Sequence, residues 1–246
     1  MAEQVTRTAR LQLLGGWRLH LPGGHPLVLG ATAQRVLALL ALHGPLSRSQ
    51  VTGRLWPDVS DTTASGRLRT TLWRLAGERR LLLHDEDGRL RLDHLVDVDV
   101  TRACAVAAAI AAGQEGSYDP AMFAADLLPT WYGDDWLIID RERIRQIRLH
   151  ALESLSAQLT LRGRYDGAVG AGLMALASDP LRESAHRAVI VAHLAEGNVA
   201  DAYRQFEACR ALLYSELGVS PSGHLVALVG GWSGHVAPAA PVVSGG

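Results

Sequence analysis

Residues 62–76, TTASGRLRTTLWRLA, carry the apolar spacing of a helix. At about 100° per residue, Ala64, Leu68, Leu72 and Leu75 fall on one narrow face flanked by Thr71. The outward arc holds Thr63, Arg67, Arg69, Thr70 and Arg74, with Gly66 among them, and no acid interrupts the stretch. The apolar face requires a core to lie on. The outward face suits a DNA major groove, because guanidinium pairs with guanine edges and phosphates while hydroxyls contact either. A solvated surface helix is the plain alternative. Trp73 also lies on that arc, and an indole there is expected to pack beneath a hairpin or sheet.

The flanking sequence supplies a scaffold. RLQLL (10–14), WRLHL (17–21) and PLVLG (26–30) read as three short strands joined by glycine turns. A helix follows over 33–43, with Thr32 as its N-cap and Gly44-Pro45 as its stop. Ser47-Arg48-Ser49-Gln50 has capping-box form and opens a helix that ends before Pro57. Beyond the arginine helix, residues 81–92 read as two strands around an Asp87-Gly88 hairpin signal. Sheet, helix, short helix, arginine helix and hairpin is the order of a winged helix, in which the third helix enters the groove and the hairpin reaches the backbone beside it. Asp85, Glu86 and Asp87 at the hairpin tip repel phosphate, so the wing contact is expected from Arg89 and Arg91 on the return strand. The predicted DNA-contacting set is Arg48, Thr63, Arg67, Arg69, Thr70, Arg74, Arg89 and Arg91.

The charge distribution agrees with that placement. Net charge over the 246 residues is −1, yet residues 1–92 hold 13 arginines against 7 acids, whereas 101–246 hold 11 against 15. The basic half is the amino-terminal one. An apolar fraction of 48% excludes wholesale disorder and allows two packed domains. Cys104 and Cys209, the only cysteines, sit in alanine-rich helical surroundings and read as small core residues without zinc or disulfide spacing. No basic leader and no apolar run of about eighteen residues is visible, so no membrane partner and a cytoplasmic location are expected.

After LVDVDV (95–100), a last strand or linker, the chain reads as helices over 101–112, 119–127, 140–162, 165–177, 181–195, 198–216 and 222–229. Gly163 and Gly197 stand 34 residues apart, as do Ala168 and Ala202, Ala151 and Ala185, and Leu161 and Ala195. That is the tetratricopeptide period, and alanines suit closely packed helix pairs in an α-solenoid. The expected fold class is mainly α with a small β component. Its expected domains are a winged-helix DNA-binding domain over 10–100, a helical domain over 101–229 and a disordered tail over 230–246.

Several motifs in order carry a more specific likeness: LQLLGGWRL around Trp17, LWPDVS (55–60), LRTTLWRLAG (68–77), LLPTWYGDDW (127–136), RERIRQIRLHALESL (141–155), DPLRESAHRAVIVAHLAEGN (179–198) and ELGVSPS (216–222). Over residues 10–229 the chain resembles the SARP (AfsR-like) family of antibiotic regulatory proteins, built from a winged helix and a bacterial transcriptional activator domain, or BTAD. The resemblance implies an activator that binds promoter direct repeats with a second protomer on the DNA. It also implies recruitment of the RNA polymerase holoenzyme, commonly to secondary-metabolite genes. It places the recognition helix at 62–76 and the family core at Leu68, Leu72, Trp73 and Leu75. The acidic hairpin tip and Gly66 depart from the pattern.

Other readings compete. An interaction or ligand-sensing module of tetratricopeptide type, with weak DNA binding, fits the acidic wing tip. GAGLMA (170–175) satisfies a dinucleotide-binding spacing but lies inside a helix rather than after a strand. Asp134, Asp135 and Asp140 bring carboxylates together as a hydrolase does, yet Trp131, Tyr132 and Trp136 around them suit a solvated turn pinned by aromatics between helices. His186 and His193 are seven apart, too far for the usual metal pair. No catalytic residue, metal or cofactor is expected.

Overall fold

The computed structural model describes residues 8–75, 77 and 79–233. They divide into two compact units: the chain through Ala109 together with Ala121–Arg148, and Ile110–Pro120 together with the chain from Leu149.

The first unit begins with β1 (Ala9–Gln12) and β2 (Arg18–His20), followed by α1 (Ala31–His43), β3 (Leu46–Ser47), α2 (Arg48–Leu55) and α3 (Asp61–Arg74). A single turn, α4 (Arg79–Leu82), leads into β4 (Leu83–Glu86), β5 (Arg89–Leu92) and β6 (Val96–Val98). Two three-stranded sheets result, ordered β2-β1-β6 and β3-β5-β4. The third strand expected over 26–30 does not form. The segment makes only an isolated bridge at Pro26 to His20, framed by Leu27 N–H donating to Leu19 O and Leu21 N–H to His25 O, both at 2.8 Å. The free edge of β1 is taken instead by β6, in parallel, with Ala9 opposite Val96 and Leu11 opposite Val98.

Local signals fix the helix ends. Ser47 caps α2 as read from the sequence: its hydroxyl accepts from the Gln50 N–H at 3.2 Å, and the Gln50 side chain accepts from the Ser47 N–H at 2.8 Å. α1 starts earlier than the Thr32 cap implied, with Gly30 at the N-cap and no side-chain hydrogen bond there. Val36, Leu37, Ala38, Leu39 and Leu40 of α1 are buried and receive Ala64, Leu68, Leu72 and Leu75 of the α3 segment into one core. In the hairpin, Asp87 (φ 52°) and Gly88 (φ 74°) are both left-handed, the conformation a two-residue type I′ turn demands.

Residues 121–148 return to this unit. The helix expected over 119–127 is reduced to a 3-10 turn at Pro120–Phe123. The backbone beyond it is satisfied elsewhere: Gly15 N–H donates to Asp126 O at 2.8 Å and Leu128 N–H to Leu13 O at 2.9 Å. Those bonds tie the segment to residues 13–15 through one bridge at Leu127, and Phe123, Leu127 and Leu128 are buried.

The unit boundaries fall inside α5 (Asp99–Ala111) and inside α6 (Ile138–Leu161). The second unit continues through α7 (Tyr165–Ser178), α8 (Glu183–Glu196), α9 (Val199–Leu217) and α10 (Gly223–Ser233). Gly163 (φ 71°) turns α6 into α7 and Gly197 (φ 91°) turns α8 into α9, so the 34-residue spacing marks two helical hairpins. Ala151, Ala168, Ala185 and Ala202 are all buried, as their positions in the repeat require. Residues 230–233, expected in the tail, prolong α10; 234–246 lie outside the described residues. Cys209 is fully buried and desolvation lifts its thiol to about 11, while Cys104 is half-buried and shifted up for the same reason.

GAGLMA lies within α7, and its Gly172 is a packing residue. A Cβ built there would stand 2.6 Å from Val189 Cγ2 on α8. Gly172→Val is therefore expected to destabilise the helical half by about 1–3 kcal/mol through overpacking. Gly170→Val, which meets nothing within 4 Å, serves as its control in urea unfolding.

Candidate nucleic-acid interface

α3 starts where Ser60 caps it, its hydroxyl accepting from the Thr63 N–H at 3.4 Å. Ala64, Leu68, Thr71 and Leu72 are buried, which turns the opposite arc to solvent. Thr63, Arg67, Arg69, Thr70, Trp73 and Arg74 lie on that arc, with Trp73 and the threonines open to water. Among the described residues, the guanidiniums of Arg67, Arg69 and Arg74 have no hydrogen-bond or ion-pair partner. The Thr70 hydroxyl donates to Gly66 O at 3.0 Å, and the Thr63 hydroxyl shares a hydrogen with Ser60 at 2.9 Å. Trp73 departs from expectation: it is 76% exposed, not packed under hairpin or sheet and not part of the core.

The remaining sequence-predicted residues sit near the wing in a different electrostatic state. Arg48, at the first position of α2, donates to Asp85 at 2.5 Å. Arg91 grips Glu86 with two hydrogen bonds of 2.9 and 3.2 Å. That pairing holds the Glu86 carboxyl below its ordinary range and Arg91 above its own. Arg89 is exposed and reaches Pro45 O at 3.4 Å. The acidic tip is thus largely neutralised within the protein, by the arginines expected to meet phosphate.

Behind the helices, the 121–148 segment is tied down by arginines that sequence reasoning did not single out. Arg35 of α1 donates to both Asp134 oxygens at 2.6 and 2.9 Å, and Trp136 Nε1 adds a third bond to that carboxylate at 3.1 Å. The Asp134 hydrogen bonds raise the Arg35 pKa against the opposing effect of burial. The Arg35 guanidinium also lies 5.6 Å from the centroid of Trp131, which stacks on Trp17 at 6.0 Å. Arg141 donates to the carbonyls of Leu128 and Trp131 at 2.8 and 2.7 Å. His43 contacts Asp140 at 2.9 Å, yet burial outweighs that attraction and holds its imidazole below its ordinary pKa. The aromatics of LLPTWYGDDW were the available signal, but the turn is not solvated throughout as expected: Asp134 and Asp140 are buried in ion pairs, while Tyr132 and Asp135 are exposed. Asp134 is paired with Arg35 and Asp140 with Arg143, and no group of three or more metal-ligating side chains occurs among the described residues.

Residues 97–230 match the family model of the bacterial transcriptional activator domain, more than half of the chain. The chain belongs to this family. No curated protein matches it. In fold it is similar to Mycobacterium tuberculosis EmbR, solved in complex with a low affinity phosphopeptide, with a TM-score of 0.62 and 19% identity. The match covers 91% of this chain but only 64% of that one. This chain carries the bacterial transcriptional activator domain, and its fold class is as the sequence implied. The family is one of transcription regulators rather than enzymes. Among the described residues no helix is long and apolar enough to cross a membrane.

Proposed function

We propose that this protein is a sequence-specific, cytoplasmic DNA-binding activator that acts on double-stranded promoter DNA. α3 enters the major groove, where Arg67, Arg69, Thr70 and Arg74 contact base edges, with Thr63 at the groove margin. Arg48, Arg89 and Arg91 hold flanking phosphates. The observation that carries this reading is the unpartnered guanidinium face of α3, which no acid on the helix neutralises beyond Asp61 in its first turn. Two protomers bind direct repeats in tandem, because one module of this size covers too little DNA for high specificity. The helical half presents its surface to the RNA polymerase holoenzyme, and the regulated genes are those of secondary metabolism, as the likeness to antibiotic regulators implies. An electrophoretic shift with promoter DNA adjoining the protein's own gene tests the reading. Retarded species should appear in two steps on a two-repeat probe and one step on a one-repeat probe, and absence of any shift refutes it.

The paired wing favours a second reading, in which the chain is mainly an interaction module with weak DNA affinity. The two readings part on one variant. If Arg48 and Arg91 are phosphate ligands held back by Asp85 and Glu86, Asp85→Asn/Glu86→Gln binds the same duplex more tightly. Its log–log salt slope should steepen by about 0.9 per arginine released. An unchanged slope assigns both pairs to wing stability alone.

A further inference from the structure

The residue that points most directly away from the core along α3 is not an arginine. Opposite the buried residues Ala64, Leu68, Thr71 and Leu72, the outward direction runs close to Gly66, with Trp73 about 20° from it and two turns along the helix. Arg69 lies on one side of that line and Arg67, Thr70 and Arg74 on the other. Trp73 therefore stands in the middle of the basic face with three quarters of its surface in water. It is the only large apolar side chain exposed on α3. A protein partner would be met by a cluster of apolar neighbours, and on the outward arc of α3 the neighbours are arginines and threonines. The face thus calls for a partner that is anionic around its edge and apolar at one point. In the DNA major groove, the apolar group on a base edge is the thymine C5 methyl.

We propose that Trp73 reads thymine methyl groups in the operator and that Gly66 provides the clearance for it to do so. The proposal rests on the reading that α3 enters the groove. Along the same outward line Thr62 and Gly66 are small, and a Cβ at Gly66 would meet nothing within 4 Å. The amino-terminal half of α3 approaches the base edges closely, while the indole at the other end fills the groove against methyl groups. Arg69 and Arg74 flank it and supply hydrogen bonds to guanines on either side. The operator then carries thymine between guanine contacts, a pattern that the arginines alone would not dictate.

The test uses the intact chain and duplexes that it selects from a random pool. Each thymine of the selected site is replaced in turn by deoxyuridine, which removes the methyl group and leaves every hydrogen bond in place. The wild-type protein should lose about fourfold in affinity at one or two positions, the worth of a buried methyl. Trp73→Ala should bind more weakly and be indifferent to uracil at those positions, whereas Trp73→Phe retains the sensitivity. Gly66→Leu, which crowds the line from a position where a Cβ meets nothing within 4 Å, should lose it as well. Arg69→Ala should weaken binding yet keep the uracil profile. A Trp73→Ala profile identical to that of the wild type overturns the proposal and leaves DNA binding by α3 intact. An intact chain that enriches no duplex overturns both.

Discussion

Arg69→Ala/Arg74→Ala is expected to bind an operator duplex about 100-fold more weakly than the wild type, or worse, since removing a bidentate guanine pairing costs about 1–3 kcal/mol each time. Both side chains are without an intramolecular partner among the described residues, so their removal leaves no buried group unsatisfied and the fold unaffected. Fluorescence anisotropy on specific and scrambled duplexes, each over a range of salt, separates the two ways an arginine can act. Removing an arginine that reads a base weakens specific binding and spares scrambled DNA. Removing one that holds a phosphate weakens both and lowers the log–log salt slope by about 0.9. Unchanged affinity for the specific duplex would remove α3 from the interface and, with it, the winged-helix mode of action.

The parts of this arrangement that were legible in the sequence are those decided within a few residues. The capping box at Ser47–Gln50, the two left-handed residues of the Asp87-Gly88 turn and the apolar stripe of α3 are local rules, and the structure obeys them. The 34-residue recurrence of glycine and alanine was legible for the same reason, since each helical hairpin repeats one local pattern. What could not be read depended on partners distant in sequence. β1 pairs with β6 rather than with residues 26–30, and that choice is made by an edge far along the chain, with Arg10 opposite Asp97. Residues 126–128 give their backbone groups to 13–15 and so lose the helix that their composition suggested. At the candidate site, the outward arginines of α3 follow from periodicity. The pairing of Arg48 with Asp85, 37 positions apart, does not. Trp73 shows the limit of a size argument: its place on the wheel assigned it outward, and the expectation that a large indole must be covered was the weaker guide.

Arg148→Ala is expected to be a strongly damaging substitution in the first unit, costing about 3–5 kcal/mol of stability through a lost buried hydrogen bond and a cavity. Arg148 is 2% exposed and its guanidinium spends its donors on a turn: Nε to Phe123 O at 2.7 Å, Nη2 to Ala124 O at 3.0 Å, and Nη1 to the Asp126 carboxylate. Truncation orphans the buried Phe123 carbonyl, at about 1–3 kcal/mol, and leaves a cavity beside the fully buried Phe123 side chain. The Asp126 carboxylate is 65% exposed and returns to water, so the ion pair itself contributes little to the loss. Arg148→Met, which fills part of the space without donating, should fall between. Arg145, about one turn earlier on the same helix, pairs with Glu142 at the surface. Its replacement by alanine should cost no more than about 1 kcal/mol. Denaturant unfolding followed by circular dichroism ranks the three. Equal costs for Arg148→Ala and Arg145→Ala would mean that the buried fork does not hold the 121–148 segment in place. Because that segment lies behind α1, whose core supports α3, loss of the fork should also reduce the fraction of protein competent for DNA, with no change in which duplex is chosen.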